Sequence, residues 1–228
     1  MVNFRKLLGG NTLLYRGCML RGNYEELSDN YEELLRKGGV KFVVLENELC
    51  CGSPIRNAGE DWKEQARKVN EWLKEHGIVK IVTPCPACFH TFRTLYREAL
   101  PDWDVEVVHA SQVLAELVKK GKLKARAEKD VMVFHDPCHL GRAEGVYDEP
   151  RQIVRAAGKL EEMEFGKELS QCCGGGGGMP NNQPELARKM AKKRIKEAGG
   201  RCVITACPMC YHMLKGQGKT RELSQLFE

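Results

Sequence analysis

The sequence predicts an α/β fold on largely parallel sheets, arranged as two similar halves. Three observations carry that prediction. Short apolar runs of strand character alternate with segments of helical period. A five-cysteine pattern occurs twice: Cys50, Cys51, Cys85 and Cys88 recur 122 positions later as Cys172, Cys173, Cys207 and Cys210, and Cys18 recurs 120 positions later as Cys138. A polar stretch at 119–129 separates the copies, so residues 1–122 are expected to form the first unit and 123–228 the second.

Each element follows in order. Residues 12–15 form an apolar run expected as a strand. Leu27, Tyr31, Leu34 and Leu35 recur near helical spacing within 24–36, and Gly38-Gly39 stops that helix. A second strand is expected at 40–45, a helix at 62–75 ended by Gly77, and a third strand at 78–82. A helix at 86–100, a short strand at 105–108 and a helix at 111–119 complete the half. In the second half, strands are expected at 131–134, 160–165 and 202–205, with helices at 150–157, 185–198 and 208–215. Strands alternating with helices imply parallel pairing through crossover connections.

Composition narrows the class. The 228 residues are 42% hydrophobic and 29% charged, ordinary for a globular protein. The first sixteen carry charges and no unbroken apolar core, which argues against a signal peptide. No apolar run approaches the eighteen residues of a membrane span. A cytoplasmic location is expected, with membrane association only through partners. The net charge of +5 is mild, and its densest patch, 188–196, reads as the solvated face of an amphipathic helix rather than a nucleic-acid surface.

Ten of the eleven cysteines belong to the doubled pattern. In a reducing compartment such a count suits metal ligation better than disulfides. The expected strands place the cysteines at strand ends, where open α/β sheets form their binding crevice and helix N-termini favour negative charge. Structural zinc takes four ligands, and five cysteines, two of them adjacent, are one too many. A cubane cluster also takes four, often from a compact run that is absent here. Five cysteines from three segments suggest a larger, less regular iron–sulfur cluster, with zinc in one site as the minor alternative.

The motifs Cys50-Cys51-Gly52, Cys85-Pro86-Ala87-Cys88, His135-Asp136-Pro137-Cys138-His139-Leu140-Gly141-Arg142 and Cys172-Cys173 followed by Gly174 to Gly178 resemble the cysteine-rich CCG-domain family. That family includes the B subunit of heterodisulfide reductase, the carboxyl-terminal part of its D subunit, and iron–sulfur subunits of glycolate, lactate and glycerol-3-phosphate dehydrogenases. The resemblance implies two α/β domains related by a pseudo-twofold axis. It also implies two noncubane [4Fe-4S] clusters facing a common cavity, the first held by Cys18, Cys50, Cys51, Cys85 and Cys88, the second by Cys138, Cys172, Cys173, Cys207 and Cys210. The implied activity is that of an oxidoreductase subunit cleaving or forming a thiol disulfide by one-electron steps. A pure electron-transfer subunit of a flavin-dependent 2-hydroxyacid or glycerol-3-phosphate dehydrogenase is the alternative, and a zinc-binding assembly module a third. Larger members begin with a ferredoxin-like segment that this sequence lacks, so a separate ferredoxin-like iron–sulfur subunit and a flavoprotein subunit are the expected partners. A small thiol or disulfide is the expected substrate.

Beside the ligands, Cys88-Phe89-His90 matches Cys210-Tyr211-His212. His90, His212, His135 and His139 are candidates for proton donors or hydrogen-bond donors to sulfur. Gly52, Gly174, Gly175 and Gly176 are candidates for close backbone approach to the cluster. Arg21, Arg56 and Arg142 are candidates for holding an anionic substrate or offsetting cluster charge. Cys202 has Lys80 at the matching position and reads as a buried structural residue. The glycine run and flanking histidines mark the second site as the more open of the two.

Overall fold

Runs of β-branched residues bounded by amphipathic helices produce parallel strands covered on both faces. The computed structural model, which describes residues 9–228, contains two such sheets. In the first, β1 (Asn11–Leu14), β2 (Ile78–Thr83) and β3 (Glu106–His109) pair in that order, all parallel. The second holds β4 (Met132–His135), β5 (Leu160–Glu161), β6 (Cys202–Thr205) and β7 (Thr220–Glu222) in the order β5-β4-β6-β7, again parallel. Val43 makes a parallel bridge to Leu13 on the outer side of β1, the place that β5 occupies beside β4. The two sheets therefore share one order.

The expected strand at 40–45 is thus a single bridge. Leu14 N donates to Val43 O at 3.0 Å and Val43 N to Thr12 O at 2.8 Å, after which Arg16 Nη2 draws in the Leu45 carbonyl. The strand expected at 160–165 shortens to two residues because Glu162 is taken by Arg151 and the Phe165 amide donates to Glu197. β7 has no apolar signal of its own, and pairing with β6 makes it a strand.

The helices are α1 (Gly17–Asn23), α2 (Glu25–Lys37), α3 (Ser53–Asn57) and α4 (Lys63–Glu75). Next come α5 (Pro86–His90), continued by a π turn at Thr91–Leu95 and a last turn at Tyr96–Ala99, then α6 (Ala110–Lys119) and α7 (Asp148–Ala157). The series ends with α8 (Met179–Asn182), α9 (Pro184–Glu197) and α10 (Pro208–Lys215). α1 was not expected. It places Cys18 in a first helical turn rather than in a loop ahead of a helix. The segment 188–196 lies on α9, and most of its basic residues are exposed, but Arg194 is fully buried.

One apolar core crosses the midline, joining Leu13, Leu35, Phe89 and Leu114 to Phe134, Leu140, Ile153 and Leu223. A smaller one lies under the second cysteine set, around Val133, Ala187, Ala191 and Leu214. Buried polar bonds also cross. Tyr31 Oη donates to Glu222 Oε1 at 2.7 Å. No helix among the described residues is long and apolar enough to cross a membrane.

Candidate metal centres

Each cysteine set gathers at the carboxyl ends of its sheet. In the first half, Cys18 lies in the first turn of α1, Cys50 and Cys51 precede α3, Cys85 is the N-cap of α5, and Cys88 is in its opening turn. In the second, Cys138 follows β4, Cys172 and Cys173 follow a 3-10 turn at Lys167–Leu169, Cys207 caps α10, and Cys210 lies within it. Cys51 and Cys88 bring their sulfurs to 3.4 Å, and the matching Cys173 and Cys210 to 3.2 Å.

The loop carrying the first pair is clamped by its backbone. Four successive carbonyls each receive a side-chain donor: Arg21 on Glu48 O, Tyr15 on Leu49 O, Gln65 on Cys50 O and Tyr96 on Cys51 O. The buried Glu48 carboxylate in turn accepts the amides of Arg16 and Gly17, both at 3.0 Å. In the second half Arg142 Nη1 donates to Ser170 O, two residues before Cys172, as Arg21 serves Glu48 two residues before Cys50. Arg21 and Arg142 thus brace the loops that carry the adjacent cysteines. Asp136 supports the second site from below, held by both terminal nitrogens of Arg151 at 2.6 and 2.9 Å.

The glycine of each Cys-Cys-Gly is left-handed, Gly52 at φ +87° and Gly174 at φ +85°, a conformation that side chains disfavour. At Gly174 a Cβ would also lie 2.5 Å from the Ala187 carbonyl oxygen, so α9 packs where a side chain would stand. The Gly174 amide meets Cys172 Sγ at 3.3 Å. Gly175 faces Met209 and Met213, and nothing stands near Gly176.

The thiols influence one another in the same pattern in both halves. Hydrogen bonds from Cys50 and Cys88 hold Cys51 well below the usual thiol range, and those from Cys172 and Cys210, with His135 adding, do the same for Cys173. Cys50, Cys88, Cys172 and Cys210 are pushed up as their partners' donors. Burial raises Cys18, with Cys85 and Cys51 adding, just as burial raises Cys138 with Cys207 and Cys173. Cys18 is the exposed member and opens onto a cleft of about 620 Å³ shared with Arg16, Arg21 and Glu25. At the first cysteine, then, it is the first site that is the more open.

The four histidines divide. His135 and His139 stand beside sulfur: a ring nitrogen of His135 lies within 4.8 Å of the Cys173 and Cys210 sulfurs, and His139 Nδ1 lies 3.6 Å from Cys138 Sγ. His90 and His212 instead cross the midline. His90 Nδ1 pairs with Glu144 Oε1 at 2.6 Å, and His212 Nδ1 with Tyr24 Oη at 2.7 Å. Tyr24 lies six residues after Cys18 and Glu144 six after Cys138, so the exchange is reciprocal. The His90 and His139 rings are 5.5 Å apart, which makes the two sites neighbours. Burial lowers His139, and His90, Arg56 and Arg142 lower it further. Arg56 is exposed, and the region around His139 is basic.

These sulfurs fit a group bound through soft ligands. His135, Cys173 and Cys210 present atoms within 4.8 Å of one another, as a zinc site would. But Arg194 Nε donates to His135 Nδ1 at 3.0 Å. Arginine only donates, so in the neutral ring the proton sits on Nε2, which then offers the nearby sulfurs a donor rather than a metal a lone pair. Arg194 and Glu48 escaped the sequence reading, since no spacing signals a buried charge whose partners are distant. Cys202 is buried in β6, as expected.

Fold and site together define a protein with two copies of a five-cysteine module on parallel sheets. The family model described as a cysteine-rich domain, CCG, matches residues 12–93 and again 132–215, so the chain belongs to that family. The chain is 36% identical over 216 residues to the D subunit of dihydromethanophenazine:CoB–CoM heterodisulfide reductase from Methanosarcina mazei, covering 88% of this chain and 52% of that one. It is 34% identical over 230 residues to EtfAB:quinone oxidoreductase of Syntrophomonas wolfei, covering 93% and 32%. It is 33% identical over 217 residues to the B subunit of fumarate reductase (CoM/CoB) from Methanothermobacter marburgensis, covering 91% and 42%. The chain spans about half the length of the first of these relatives, and less of the other two.

Proposed function

We propose that this chain is an iron–sulfur oxidoreductase subunit of the heterodisulfide reductase type, exchanging electrons with partner subunits to reduce or form a thiol disulfide. The observation that carries this reading is the doubled five-thiol site, its two copies adjacent. Cys18, Cys50, Cys51, Cys85 and Cys88 would hold one noncubane [4Fe-4S] cluster and Cys138, Cys172, Cys173, Cys207 and Cys210 the other, within units 1–122 and 123–228. When bound, such clusters supply single electrons and iron with affinity for sulfur. The chain's own groups do the rest. His139, whose ring burial and basic neighbours hold toward the neutral form, stands 3.6 Å from Cys138 Sγ, where it can give a hydrogen bond to a departing thiolate while the proton comes from solvent. His90 takes its orientation from Glu144 and stands behind it. Arg56 supplies positive charge at the same place, which suits a small anionic disulfide.

Metal analysis of anaerobically purified protein tests the reading first. Iron with acid-labile sulfide is expected, and zinc without sulfide would end it. Turnover of a small anionic disulfide comes second. There Arg56→Ala should raise KM about tenfold, or 1.4 kcal/mol, with kcat little changed. The relative named as a quinone oxidoreductase supports a second reading, in which the chain only relays electrons. A paramagnetic spectrum that no disulfide perturbs would favour it.

A further inference from the structure

Arg194 is a buried cation with no counterpart in the first half. It is fully enclosed, yet every branch of its guanidinium is used: Nε on His135 Nδ1 at 3.0 Å, Nη1 on Phe165 O at 2.9 Å and Glu197 Oε2 at 2.6 Å, Nη2 on Ser170 Oγ at 3.4 Å. Four partners from three segments leave it one orientation. That orientation fixes the His135 tautomer and leaves Nε2 as the ring's donor, on a histidine that has a ring nitrogen within 4.8 Å of the Cys173 and Cys210 sulfurs.

The first half is built otherwise. The residue 120 positions before His135 is Tyr15, whose hydroxyl donates to Leu49 O at 2.6 Å and not to a cysteine. The residue 122 positions before Arg194 is Trp72. The two five-thiol sets match in their closest sulfur–sulfur contact, Cys51 with Cys88 and Cys173 with Cys210, and among their differences only this polar chain brings a buried cation to the site.

We propose that Arg194 and His135 are positioning residues that hold a hydrogen bond on Cys173 Sγ and so set the second centre at a higher reduction potential than the first. The proposal rests on the reading that both sites hold iron–sulfur clusters. A hydrogen bond donated to a coordinating sulfur stabilises the more negative, reduced state, and an enclosed guanidinium nearby acts in the same direction. An electron arriving at the first centre then passes downhill to the second, one reduced as the other is oxidised.

The test is a redox titration of the full chain with its clusters, followed by electron paramagnetic resonance, after iron and sulfide have been counted. The wild type should show two components of different midpoint. In both Arg194→Gln and His135→Phe the higher component should fall, changing its reduced-to-oxidised ratio at least tenfold at fixed potential, or 59 mV for a one-electron couple. The lower component should stay in place. A single shared midpoint in the wild type would overturn the proposal without any variant, and so would unmoved midpoints in a variant carrying its full iron and sulfide. Absence of sulfide from the wild type would instead overturn the cluster reading.

Discussion

At the residue scale, the ten cysteines were legible because their spacing repeats, and spacing survives without knowledge of the fold. The charged residues that hold them were not. Asp136 sits inside a motif that drew attention for its cysteine and histidines, while its partner Arg151 looks like any helical arginine. Only folding brings that guanidinium between Asp136 and Glu162 and over the Phe134 ring. Arg151→Leu should cost about 3–5 kcal/mol in urea unfolding, because it leaves the Asp136 carboxylate buried and unpaired; a loss under 1 kcal/mol would contradict that account. The glycines make a sharper pair. Gly174→Ala meets both a left-handed backbone and the Ala187 carbonyl and should destabilise by more than about 1–2 kcal/mol. Gly176→Ala enters open space and should stay within about 0.5 kcal/mol of the wild type. Equal losses for the two would show that the run acts as a flexible tether.

Among elements, the long helices were plain in their apolar period, and the two Cys-Pro-x-Cys helices in their proline at the first position. The bridge at Val43 and the strands β5 and β7 were hidden, since segments this short become strands through their neighbours. One repeat escaped notice. His109-Ala110-Ser111-Gln112 and Glu222-Leu223-Ser224-Gln225 are the same reciprocal cap, in which the first side chain accepts the serine amide and the glutamine accepts the first residue's amide. Its two versions respond oppositely to acid. Burial pushes His109 down to about 3, whereas it pushes Glu222 up. For His109 the unfolded chain takes a proton below pH 6.5 that the native chain refuses until about 3, so stability present above 6.5 is lost as pH falls, by about 1.4 kcal/mol per unit. Between pH 7.5 and 5.0 the wild type should lose about 2 kcal/mol more than His109→Asn, which keeps a capping oxygen. Parallel losses would remove His109 from the acid response.

For the whole molecule, two halves were legible, but how closely they are joined was not. The apolar core ignores the midline, and buried polar bonds are shared across it. Tyr31→Phe removes the hydroxyl that reaches Glu222 from the other half, and should cost about 1–3 kcal/mol in urea unfolding through a buried carboxylate left short of a donor. Loss of one half's signals before the other's would show separable units. The crossed histidines carry this further, into ancestry. A doubled pattern is what duplication leaves behind, and two fresh copies are interchangeable spares. Here His90 leans on Glu144 and His212 on Tyr24, so each copy now keeps a working part of its twin. A change at position 24 is felt beside the second cysteine set, and one at 144 beside the first. The two copies are thereby coupled, each holding a side chain that orients a histidine of the other.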